Sequence, residues 1–154
     1  MPKTADIVTP EGLRASALTD DVSFLLARAN AIALAAGNAA LAEHGLKARS
    51  YSVLVLTSGG ARPSQRELAE FLRLDPSQVV SLVDELQTRG LVERRPDPAD
   101  RRANVVVATD AGRALVGEAR ESARAAEERV HAELSASERA TLATLLRTLA
   151  FPGE

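Results

Sequence analysis

Residues 64–115, SQRELAEFLRLDPSQVVSLVDELQTRGLVERRPDPADRRANVVVATDAGRAL, decide how this 154-residue chain folds. Ser64 and Glu67 stand at the spacing of a capping box, in which each side chain takes an orphan amide at the other's position. The Leu68, Ala69, Phe71 and Leu72 that follow carry a short helix. Leu74 and Asp75 turn the chain, and Asp75-Pro76 starts a second helix, with Asp as its cap and Pro at its first position. Val79, Leu82, Val83 and Leu86 recur at three- and four-residue steps and form its inward face, and Gly90 closes it. Residues 91–95 and 104–108 have strand character and flank the turn-rich PDPADRR, so they pair as a hairpin. Two short helices joined by a tight turn and followed at once by a hairpin describe a winged helix-turn-helix.

Outward from this stretch, long helices appear on both sides. Thr109 caps one whose buried stripe is Val116, Ala119, Ala123, Ala126, Val130 and Leu134. Ser135 and Glu138 open a last helix with Leu142, Leu145, Leu146 and Leu149 inward, stopped by Pro152-Gly153. Upstream, RSYSVLVLT (residues 49–57) is rich in β-branched residues and suits strand or helix, although its place in the order of elements favours helix. Thr19 is expected to cap a helix with Asp20 and Asp21 in its first turn. Its periodic residues run from Val22 through Leu25, Leu26, Ala29, Ala33 and Ala36 to Ala40, and it ends near Gly45. Residues before Thr19 read as a loose arm or a short helical lead-in. The fold class is mainly α with a small β-hairpin.

Composition removes several function classes. There is no cysteine, which excludes disulfides and thiolate chemistry. With His44 and His131 the only imidazoles, no metal site is expected. The carboxylates are scattered along helix surfaces, and no Ser/His/Asp spacing emerges, so no catalytic residue, no cofactor and no enzyme are expected. The first twenty residues hold no apolar run suited to a signal peptide, and no later stretch is expected to reach the length of a membrane span. That reading makes the protein cytoplasmic. The net charge of −2 is neutral on nucleic-acid binding, because local distribution counts for more. Lys47, Arg49, Arg62 and Arg66 lie in a run without acids, and five arginines between Arg89 and Arg102 face Glu93, Asp97 and Asp100.

The stretch 64–115 resembles the signature region of the MarR family of bacterial regulators. The most specific pieces are LVDELQTRGLVERR, the loop DPADRR, and TDAGRAL at the start of the next helix. The flanking helices fit the same layout, so the resemblance covers roughly residues 19–149. It implies one unit over 1–154, with dimerisation helices at 19–45 and 110–150 around a DNA-binding lobe at 46–109. It implies a homodimeric transcription regulator, expected to repress a nearby operon, on double-stranded DNA with a roughly palindromic operator. Repression relieved by a small anionic or aromatic ligand would fit many relatives.

The physics points the same way. A recognition helix enters the major groove by its N-terminal end. Here that end presents Ser77, Gln78 and Ser81 opposite the apolar face, and Gln78 can pair bidentately with adenine. Ser77 and Gln78 also suit a plain capping turn. Ser64 and Gln65 would hold phosphates, and Ser64 is also a cap. Arg101 and Arg102 suit the narrow minor groove, with Asp100, or Asp84 from the recognition helix, pairing with one of them to fix the wing. Arg94 and Arg95 either touch phosphate or pair with Glu93 or Asp97. Many family members carry a basic residue where this chain has Ser81 and Glu85, and no positive charge lies between Arg73 and Arg89. That departure leaves an alternative open, a winged-helix protein-interaction module without DNA binding of its own. For a ligand crevice the candidates are Asn38, His44, Arg49 and Tyr51. Set against that role, Asn38 and His44 suit a helix surface and Tyr51 the core.

Overall fold

The computed structural model describes residues 11–153. Most of the expected N-terminal arm lies outside them. A four-residue helix α1 (Glu11–Arg14) and a 3-10 turn (Ala17–Asp20) lead into the long helix α2 (Val22–Leu41). The cap of α2 is Asp21, whose Oδ1 accepts from the Phe24 amide at 2.8 Å, and not the expected Thr19. Thr19 is spent inside the preceding turn, its hydroxyl donating to the carbonyls of Ser16 (2.7 Å) and Arg14 (3.2 Å). A 3-10 turn (Ala42–His44) ends the helix, and Gly45 reverses the chain at φ 64°, where an L side chain would be strained.

The ambiguous segment is helix α3 (Ala48–Ser58). Its buried residues Ser50, Val53, Leu54 and Thr57 have helical spacing, and Thr57 ties its hydroxyl to the Val53 carbonyl at 2.9 Å. Tertiary burial overrides strand propensity here. Helices α4 (Gln65–Leu72) and α5 (Pro76–Thr88) follow. Both are opened by the capping residues expected, Ser64 and Asp75. Strands β1 (Val92–Pro96) and β2 (Asn104–Ala108) pair antiparallel, with Val92 opposite Ala108 and Pro96 opposite Asn104. On its other side β2 receives one more tie, from the Val106 amide to the Pro63 carbonyl at 2.8 Å.

The core sits inside the α3–β2 lobe and along the start of α6 (Asp110–Val130). Val53, Leu54, Val79, Val83, Leu86 and Val106 are fully buried there. Gly112 in the first turn of α6 sits so close to the wing that a Cβ would meet the Leu91 carbonyl oxygen at 2.0 Å. Thr109 seats the same turn, its hydroxyl donating to the Gly90 carbonyl at 2.7 Å and accepting from the Gly112 amide at 3.1 Å. Of the expected α6 stripe, Val116, Ala119 and Ala126 are buried and the rest are half-buried.

The last helix, α7 (Ala136–Ala150), departs from expectation. None of its residues is buried, and Leu145 and Leu149 are 60% and 63% exposed. Periodicity identifies an apolar face but not what covers it, and among the described residues Leu145, Leu146 and Leu149 stay exposed. The same holds for Val22, Leu25, Leu26 and Ile32 of α2. Helical residues Val22–His44 also reach a mean hydropathy of 1.4 over a length sufficient to cross a membrane, contrary to the expectation that no stretch would. That value reflects an Ala- and Leu-rich helix apolar on two faces, one of which runs along α6.

Candidate nucleic-acid interface

The N-terminal turn of α5 is built by Asp75. Its Oδ1 accepts from the Ser77 amide at 2.8 Å and from the Ser77 hydroxyl, and these bonds hold the carboxyl below its ordinary range. The Asp75 amide donates to Gln78 Oε1 at 3.3 Å, and Ser81 donates its hydroxyl to the Ser77 carbonyl at 3.1 Å. Ser77, Gln78 and Ser81 therefore cap and line the helix in the free chain. All three are exposed, on the side away from Val79, Val83 and Leu86. Val80 lies beside them, 39% exposed.

Ser64 is held in its capping box, its amide and hydroxyl donating to Glu67 Oε2 at 2.7 and 2.8 Å, which lowers the Glu67 pKa. Gln65 turns its side-chain oxygen inward. That oxygen accepts from Arg94 Nε at 3.0 Å and Nη2 at 2.7 Å. Arg94 also donates to Gln87 Oε1 and Asp84 Oδ1, each at 2.6 Å. One guanidinium thus joins the start of α4, the outer face of α5 and strand β1, with its side chain only 26% exposed. Asp84 does not pair with Arg101 or Arg102 as expected, because Arg94 lies closer across the β1–α5 contact. Arg95 pairs with its neighbour Glu93.

The wing tip is ordered by its acids through the backbone. Asp97 Oδ1 accepts from the Ala99 amide at 2.8 Å and Asp100 Oδ1 from the Arg102 amide at 3.0 Å. Asp100 thus shapes the loop without engaging a guanidinium. Arg101 and Arg102 are exposed, and among the described residues no carboxylate lies within ion-pairing distance of either. Ser77, Gln78 and Ser81 at the start of α5, and the two wing arginines, are among the polar groups that the fold leaves outward.

A crevice of about 490 Å³ opens where α2, the start of α3 and α5 meet. Asn38, Lys47, Arg49, Ser77, Gln78 and Glu85 line it together with Leu34, Ser81 and Leu82. Two of the four expected crevice residues are there. Asn38 has a structural duty as well, since its Oδ1 accepts from the Ala48 amide at 2.8 Å and caps α3. Tyr51 packs on the core. His44 faces α6, its Nε2 3.0 Å from Ser122 Oγ, which in turn donates to Glu43 Oε1 at 2.8 Å. Sequence reasoning missed Lys47 as a crevice residue, although its basic neighbourhood was visible. It also missed Gln87, which meets Arg94 across the α5–β1 turn, and Arg89, whose partners Gly45 and His44 are remote in the chain.

Comparison with known proteins fits this geometry. Residues 44–103 match the model of the MarR family. A MarR-family transcriptional regulator from Rhodococcus sp. RHA1, solved by crystallography, is 42% identical, with 90% of this chain and 99% of that one covered at a TM-score of 0.82. CouR from Rhodococcus jostii RHA1, solved bound to p-coumaroyl-CoA, is 43% identical over 91% of this chain and 99% of its own, at a TM-score of 0.80. The HTH-type transcriptional repressor NicR of Pseudomonas putida is 36% identical over 86 residues, which are 56% of this chain. The match spans only about half of that curated relative, 54% of its length. With identity above two-fifths across almost the whole of a solved relative, and a winged helix-turn-helix between long helices, this chain belongs to the MarR family of transcription regulators.

Proposed function

We propose that the protein is a cytoplasmic, homodimeric repressor that binds a roughly palindromic operator in double-stranded DNA and releases it on binding a small anionic aromatic ligand. The observation that carries this reading is the outward polar end of α5 beside a wing tip with two uncommitted arginines. Ser77, Gln78 and Ser81 can exchange their intrahelical bonds for base edges in a major groove, while Arg101 and Arg102 follow the backbone into the adjoining minor groove. Ser64 and Gln65 at the start of α4 would meet phosphate. Arg95 would join them once its exposed pair with Glu93 opens, since such a pair is weak. Arg94, tied to three side chains, would support the wing without reaching DNA.

Dimerisation is supported by the uncovered leucines of α7 and the apolar face of α2, which together flank a groove of about 760 Å³. An isologous pairing of these helices would bury them and set two recognition helices one helical turn apart. The crevice beside Lys47 and Arg49 sets two cations against one carboxylate, Glu85, with Leu34 and Leu82 as apolar lining, a fit for an aromatic carboxylate or a related anion held at the basic end. CouR, solved with p-coumaroyl-CoA, makes aromatic acyl compounds the first class to try.

Fluorescence anisotropy on duplexes enriched from a random-sequence pool tests the DNA reading. Enrichment of a palindromic site, with affinity falling steeply as salt rises, is the expected result. A pure protein that enriches no duplex would instead favour a protein-interaction module.

A further inference from the structure

We infer that Arg89 is a positioning residue that tethers the recognition helix to the end of the first long helix and thereby fixes the spacing between half-sites. The inference rests on the DNA-binding reading above. Arg89 is the C-terminal cap residue of α5, and its guanidinium, 3.9 Å from Glu85 Oε1 of the same helix, reaches across to the end of α2. Nη1 donates to the Gly45 carbonyl at 2.6 Å, and Nη2 donates to the His44 carbonyl at 3.4 Å. Those carbonyls close the 3-10 turn that ends α2, where helix-end oxygens lack intrahelical donors and the backbone dipole favours a cation.

The other side of this junction is anchored too. Glu43 and His44 both reach Ser122 of α6, so Arg89 grips a point already fixed to the second long helix. Gly45 leaves room for the grip, because a Cβ there would stand 2.9 Å from Arg89 Nη2. Toward β1 and α4, helix α5 is also held by the directional bonds of Arg94 to Asp84, Gln87 and Gln65. Toward α3 and the end of α2 it packs through Val79, Val83 and Leu86, and apolar burial has little directionality. A forked, charge-assisted bond to two carbonyls is directional. It therefore sets the angle at which α5 leaves the long helices, and in a dimer that angle sets the distance between the two recognition helices.

The test uses the palindromic duplex that the wild-type chain enriches from a random pool, the same duplex with one base pair inserted or removed between half-sites, and a single half-site. Wild type should prefer the selected spacing. Arg89→Gln should lower that preference by about tenfold while leaving single half-site affinity within about twofold of wild type. Arg89→Lys, which keeps the charge but not the fork, should recover part of that preference. Equal weakening on every duplex, or full retention of the spacing preference in Arg89→Gln, overturns the tether while leaving DNA binding intact. A wild-type chain that enriches no duplex overturns the DNA-binding reading, and the tether falls with it.

Discussion

The lobe of α3–β2 and the outer pair α2 and α7 are built from the same residue types but finished differently. The lobe closes on itself, with Val53, Leu54, Val79, Val83, Leu86 and Val106 fully buried and its polar side chains tied to one another across elements. The outer helices leave Leu25, Leu26, Leu145 and Leu149 open to water. A domain that leaves large aliphatic side chains on one continuous face is complete only when something covers it. The lobe therefore reports what a single chain can do alone, and the outer helices present a face that one copy leaves open, as the proposed dimer requires.

The sharpest way to break this contrast is to charge the open face. Leu145→Glu with Leu149→Glu should leave the lobe folded, yield a monomer in sedimentation, and cost about a hundredfold or more in operator affinity through lost bivalency. A variant that stays dimeric with full affinity would place the interface elsewhere. Within the lobe, Gly112→Ala forces a methyl against the Leu91 carbonyl and should cost about 3 kcal/mol in denaturant unfolding. Little change would mean that the wing seat yields easily. Arg101→Ala with Arg102→Ala should weaken binding on all duplexes and reduce the slope of log affinity against log salt by about 2, with the unfolding midpoint unmoved.

The smallest effect concerns the caps. Glu67 and Asp75 have lowered pKa values, so their stabilisation is complete above the unfolded carboxylate range and fades as pH falls through the folded values. Thermal unfolding should therefore show a decline beginning below about pH 4, which Glu67→Gln with Asp75→Asn flattens. Both carboxylates are exposed, and the change should be slight.

Local chemistry was legible in the chain and remote chemistry was not. Ser64 with Glu67, Asp75 with Pro76, and Ser135 with Glu138 each announce a helix within four residues, and all three helices start there. At Thr19 and Asp21 two cap residues stand close together, and the cap fell to the Asp21 carboxylate because the preceding turn consumes the Thr19 hydroxyl. The composition of residues 49–57 gave no decision, because β-branched runs suit both a strand and a buried helix, and only their place in the order of elements favoured the helix that forms. The candidate interface shows the same divide. The exposed end of α5 and the wing tip followed from pattern, whereas the Arg94 cluster joins residues up to 29 apart and His44 meets Ser122 across 78. No periodicity encodes such meetings. The α7 leucines were legible as a face and illegible as to its cover.

The tie from Val106 to the Pro63 carbonyl has a consequence for the protein's behaviour in concentrated solution. The run Val105-Val106-Val107 has the composition of a segment prone to stack into intermolecular sheets. One margin of that strand is occupied by β1, and the other meets a residue whose ring nitrogen carries no hydrogen to pass the ladder on. Proline at this spot guards the sheet's open border against recruitment by neighbouring molecules, so losing it should show first as turbidity on heating and only later as a weaker fold.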